Sequence, residues 1–323
     1  MAGVFADSPG KRIVREQWDT PLLRYLHDEW KVNFRYMGLP GVDIIDLKLW
    51  ADMIEEVIAF ELPDRRGDPR RSILQLRTNL RLLGKRSVAY YGPFEEVVIR
   101  ARDYDGTDYR QENVITLYNL DFCDEIGSRI KTREHGRVVW RFEALRHVLQ
   151  DQKECYEKEQ GPSWFVLLLT VRNQINADRL SDSLDENLYA ETKAYCEACE
   201  PNAAIPAMGS LTGTHTWGLK AFIHNTLRSY LATPHISALF FPLVKYVGRT
   251  ASSPMLHWVV FCRFDDPQRP SPHLYPSSFL ADVSSLRAEP SAGIRVEREL
   301  GESGRWEPTS SQQWFQSYER YVK

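Results

Sequence analysis

Residues 33–61 read NFRYMGLPGVDIIDLKLWADMIEEVIAFE, and their order allows few structures. An aromatic-rich extended run, Asn33 to Met37, enters the tight turn Gly38-Leu39-Pro40-Gly41. Ile44, Ile45, Leu47, Leu49, Trp50 and Met53 then recur at helical spacing. Val57-Ile58-Ala59-Phe60 closes as a strand that ends on Glu61, about twenty residues past the last glycine. Strand, turn, helix, strand and acid make a βαβ unit with a ligand end. Glycine lets backbone approach a ligand closely, and the carboxylate one strand over can accept from ribose hydroxyls. The plainer alternative is a β-turn before an amphipathic helix, with Glu61 a solvated strand end. The turn is GLPG and not G-x-G-x-x-G.

The rest of the chain supplies the context. At 323 residues it suits one large α/β domain or two small ones. Hydrophobic content of 43% and charged content of 26% are ordinary for a globular protein. A net charge of −3 argues against a surface that coats nucleic acid or membrane as a whole. Five cysteines at irregular spacing point to reduced thiols and a cytoplasmic protein. The N-terminus has no signal-peptide core, and no run reaches the length of a membrane span.

Residues 1–15 read as a polar, partly disordered arm, and Glu16 to Lys31 as a helix with Pro21 in its first turn. After Glu61 comes a basic loop carrying Arg65, Arg66, Arg70 and Arg71, the densest positive cluster in the chain. It is a solvated loop or a contact for phosphate, nucleic acid or a protein partner. A helix over 72–83 follows, with Gly84 as its C-cap. Ser87 to Tyr91 is the next strand, turning at Gly92-Pro93, and Phe94 to Ile99 starts a short helix or continues the strand. Residues 114–122 form a fourth strand ending in polar residues, 142–156 a helix, and 164–171 the plainest strand of all. Helices are expected near 185–197 and 217–232, then two apolar strands, 235–246 and 254–264, joined as a hairpin. A late strand near 293–297 and a terminal helix over 312–321 complete the list.

Five strands separated by helices, then an antiparallel hairpin, resemble the class I S-adenosylmethionine-dependent methyltransferases, mainly in element order. The resemblance implies a Rossmann-like α/β fold: a mostly parallel seven-stranded sheet with a closing antiparallel hairpin and helices on both faces. It implies an N-terminal arm and helix over 1–30, a methyltransferase-like domain over 31–265 and a C-terminal extension over 266–323. It places S-adenosylmethionine against Gly38, Pro40 and Gly41, with Glu61 on the ribose and Tyr91 and Gly92 near the adenine. Asn119, Asp121 and Phe122 would hold the catalytic position at the end of the fourth strand. There the polar groups would orient an amino acceptor, and Phe122 would stack on an exposed base. The plainer role for Asn119 and Asp121 is to cap the next helix.

Other motifs carry less. Cys196 and Cys199 form one CxxC, which cannot complete a four-ligand zinc site and reads as structural. The histidines lack metal spacing, and no metal site is expected. Asp103, Asp105 and Asp108 mimic part of a calcium loop, but the glycine directly follows the second aspartate, so a polar turn is the better reading. The leading expectation is a methyltransferase, acting on nucleic acid through the basic loop. The alternative is a catalytically silent Rossmann-like scaffold that binds a protein partner or a nucleotide.

Overall fold

The computed structural model describes residues 8–64, 67–122, 126, 129–132, 136, 138–158 and 161–172. Beyond these it describes 236–240, 243–247, 254–264, 296–300 and 306–307. The helices expected near 185–197, 217–232 and 312–321, and Cys196 and Cys199, lie outside the described residues. The chain divides into two compact units. The first holds residues 1–121 and 128–168, and the second holds 122–127 and 169–323.

The first unit is built on parallel strands. β1 (Phe34–Gly38) lies between β2 (Ile54–Glu61) and β4 (Leu117–Asp121), and β3 (Arg86–Tyr91) pairs with the far side of β2. The registers are Gly38 with Ala59, Gly38 with Asn119, and Glu61 with Tyr91. β7 (Trp164–Arg172) follows β4, and the bond from Val166 N to Thr116 O ties them. The order is therefore β7-β4-β1-β2-β3. Strands covered on both faces must be apolar throughout, and β7 is buried along all but its last residue.

Local chemistry accounts for where these elements begin and end. β4 starts three residues later than the apolar pattern suggests. Gln152, fully buried on α6 (Arg141–Lys158), accepts from Ile115 N at 2.9 Å and donates to Ile115 O at 2.6 Å, so that residue has no backbone groups left for a ladder. The helix expected across 44–53 shrinks to α3 (Ile45–Leu49). Ile44 is left-handed, and the Trp50 indole is committed to Thr20 Oγ1 at 2.8 Å. α4 (Arg71–Leu83) ends on Gly84 at φ +71°, as the sequence requires, and α5 (Phe94–Arg100) ends on Ala101. A small hairpin, β5 (Arg129–Lys131) with β6 (Val138–Trp140), went unforeseen.

The N-terminal arm is helical from Pro9. Ser8 caps α1 (Pro9–Val14), its Oγ accepting from Lys11 N, and Pro9 sits at the helix start. A π-helical turn, Arg15–Asp19, joins α1 to α2 (Thr20–Trp30). The single helix expected from Glu16 is thus three pieces beginning earlier.

In the second unit, β10 (Pro254–Phe264) is antiparallel to both β8 (Ile236–Phe240) and β9 (Leu243–Val247), and β7 continues into this unit as the other neighbour of β10. The run expected over 235–246 is two strands on either side of Pro242, which has no amide hydrogen for a ladder. β11 (Val296–Leu300) is parallel to β9 and pairs with β12 (Trp306–Glu307). Among the described residues, no helix is long and apolar enough to cross a membrane.

Candidate functional site

In an open parallel sheet the ligand crevice opens at the carboxyl ends of the strands where the order reverses. Here the reversal falls between β1 and β4. Gly38 ends β1 there, and a Cβ on it would collide with the Asn119 backbone oxygen and the Tyr36 ring. Leu39 N donates to that same oxygen at 3.1 Å, so the chain leaves β1 pinned to β4. Pro40 is buried, and Gly41 adopts φ +64°, which favours glycine.

The polar groups at this crevice form one buried cluster. Asn119 Nδ2 donates to Asp46 Oδ2 at 2.9 Å, and the Arg15 guanidinium pairs with the other oxygen of Asp46. Lys11 Nζ pairs with Asp121 Oδ2 at 2.5 Å. Asp121 Oδ1 is buried and has no hydrogen-bond partner among the described residues. The Tyr36 hydroxyl is buried beside the same groups. Burial pushes its pKa well up, Asp46 adds to this, and the hydroxyl makes no hydrogen bond among the described residues. Burial raises the pKa of Asp46 too, opposed by Arg15. Two cations from the N-terminal helices therefore face two carboxylates and an amide at the sheet edge.

Glu61 ends β2. Its backbone oxygen accepts from Gly92 N at 2.9 Å, while its carboxylate makes no hydrogen bond or ion pair among the described residues. Burial, with the Asp64 charge second, pushes its pKa up to about 7. Tyr91 is buried: its hydroxyl donates to Pro69 O at 2.9 Å and its ring meets Tyr104 edge-on at 5.7 Å. Gly92 adopts φ +143°. Asp103 organises the 103–108 loop, accepting from Tyr91 N, Asp105 N and Thr107 N. Those bonds make it a polar turn. No metal-holding group of His, Cys, Asp or Glu occurs among the described residues.

The structure thus gathers Gly38, Asn119 and Asp121 at one crevice and puts Glu61 at the end of the adjoining β2. Phe122 falls in the second unit, where its ring is buried and its amide donates to Thr170 O at 2.9 Å. Of the basic loop, Arg65 and Arg66 lie outside the described residues, Arg70 pairs with Asp105, and Arg71 is exposed. Sequence reasoning missed Lys11, Arg15, Asp46 and Tyr36. Ser8-Pro9 is a helix-start signature that could have lifted the first two out of the arm.

The strand order β7-β4-β1-β2-β3, with β1, β2, β3 and β4 parallel, is that of a Rossmann-like α/β fold. No protein-family model matches the chain, and no curated protein matches it. Among solved structures it is similar to the N-methyltransferase NodS from Bradyrhizobium japonicum, at 12% identity over 80% of this chain and 99% of that one, with a TM-score of 0.37. It is also similar to the O-methyltransferase from Bacillus cereus in complex with SAH, at 11% identity over 80% and 84%, with a TM-score of 0.35. An rRNA methylase from Streptococcus thermophilus overlaps at 10% identity over 76% and 94%, with a TM-score of 0.35. Likeness of this grade says nothing about activity.

Proposed function

We propose that this chain is an S-adenosylmethionine-dependent methyltransferase-like protein that holds its cofactor at the carboxyl ends of β1, β2 and β4. The observation that carries the reading is the mixed-charge cluster at the β1–β4 crevice, with Asp121 Oδ1 left without a partner. The amino-acid end of S-adenosylmethionine is a zwitterion, and the cluster presents both signs. Arg15 would take its carboxylate and Asp46 its ammonium group, so that binding would exchange their present ion pair for two with the cofactor. Glu61, whose carboxylate has no partner among the described residues, would accept from the ribose hydroxyls, and Gly41, with open space at its Cβ position, would let the backbone approach. Tyr91 and Gly92 would border the adenine, with Tyr91 kept in place by Pro69 O.

When bound, the cofactor supplies an electrophilic methyl group. The chain's contribution is to position it and to exclude water. Asn119 and Asp121 would orient the acceptor, the unpartnered Asp121 oxygen accepting a hydrogen from its nucleophile.

Thermal unfolding with added S-adenosylmethionine tests the proposal. Binding to the native state alone raises the midpoint as the cofactor concentration rises. Asp46→Asn, which keeps the amide-like shape and loses the charge, should abolish the rise. A midpoint unmoved at millimolar cofactor counts against the reading and leaves the catalytically silent scaffold.

A further inference from the structure

We propose that the outward face of α4 is a docking surface for an acidic amphipathic helix of a partner protein. Arg71, Leu74, Gln75, Thr78, Arg81 and Leu82 are exposed, and Lys85, just beyond the helix, is half-buried. At 3.6 residues per turn the six helical residues fall within an arc of about 120°. The opposite side, with Ile73, Leu76 and Leu80, is buried in the first unit. Leu74 and Leu82 are 55% and 81% exposed, unusual for large apolar side chains. Leu62, 52% exposed, adjoins the start of the helix, where Ser72 Oγ donates to Leu62 O at 2.7 Å.

Charge selects the occupant. α4 contains no acidic residue. On the side of α4 that faces β3, Arg77 is bonded to Ala89 O and Asp105, and Arg70 beside it pairs with Asp105. Arg71 and Arg81, on the outward face, and Lys85, beyond the helix end, make no ion pair among the described residues. Two leucines about two turns apart, with Arg71 and Arg81 beside them and no acidic residue on the helix, complement a helix with an apolar stripe flanked by Asp or Glu. A second copy docked through the same face would set these cations against themselves, so a symmetric dimer is disfavoured. Phosphate backbone would satisfy the cations and leave the leucines in water.

The test uses the full chain and a fluorescein-labelled 18-residue peptide with Leu at alternating three- and four-residue spacing, Glu at the positions flanking that stripe and Ala elsewhere, its helicity checked by circular dichroism. Fluorescence anisotropy should show saturable binding. Arg71→Glu, Arg81→Glu and Lys85→Glu together should weaken it about tenfold, the loss of three rim ion pairs. A matching peptide with Lys in place of Glu should bind that triple variant better than it binds the wild type. Arg71 and Arg81 are exposed and Lys85 is half-buried, so the triple variant is first shown to unfold at the wild-type midpoint. No saturable binding overturns the proposal. So does equal binding to the triple variant, or equal binding of a peptide of the same composition with its stripe scrambled.

Discussion

The Arg15 guanidinium, on a π-helical turn near the N-terminus, pairs with the Asp46 carboxylate, which also accepts from Asn119 Nδ2 at 2.9 Å. A helix that precedes the sheet thus contributes a cation to the sheet's own crevice. Removing the cation alone leaves a buried carboxylate uncompensated. Arg15→Met should cost about 3–5 kcal/mol of stability. Arg15→Met with Asp46→Asn should recover most of that loss, which denaturant unfolding of the two variants will measure.

Lys11 holds α1 to Asp121 in the same buried cluster. Lys11→Met should likewise cost about 3 kcal/mol and should free the helix locally. Hydrogen exchange should show faster amide exchange over residues 8–19, with the amides of β1 and β2 unchanged.

Gly38→Ala should destabilise by about 3 kcal/mol. The added methyl meets backbone on β4, which cannot yield as a side chain can. A loss under 1 kcal/mol in chemical denaturation would show that β1 and β4 are less closely set than the geometry here.

Gln152→Leu should cost about 3 kcal/mol, although leucine nearly fills the volume. It strands the Ile115 amide and carbonyl, which Gln152 alone serves, while the Tyr118 hydroxyl keeps its bond to Gln111. The loss is measured by urea unfolding, where an unchanged slope would show that the denatured state is unaffected.

These sites show what was legible in the sequence. Parallel strands announce themselves as apolar runs, so β2, β3 and β7 fell within a residue or so of expectation or a few residues short of it. Gly84 marked a helix end because only a left-handed residue closes that turn. The Arg15–Asp46 pair was invisible because partners far apart in sequence leave no local pattern. The late start of β4 was hidden for the same reason: the residue that takes the Ile115 backbone groups sits on a later helix. Gly38 was legible as a turn glycine, while the contact that demands it comes from β4.

Glu61 gives stability a pH dependence. Its native pKa of about 7 lies above the ordinary 4.5, so between these values the native state keeps a proton that the unfolded chain has lost. Stability therefore falls as pH rises through that window, by up to about 3 kcal/mol. Glu61→Gln should flatten the pH profile of unfolding between about pH 5 and pH 7.

The same ionisation governs the proposed ribose contact, since only the carboxylate accepts from both hydroxyls. Isothermal titration of S-adenosylmethionine into the intact chain at about pH 6 and about pH 8 reads it directly. The wild type should bind about tenfold more tightly at the higher pH, and Glu61→Gln should bind weakly and equally at both. No heat at millimolar cofactor, or full affinity in Glu61→Gln, would contradict the account.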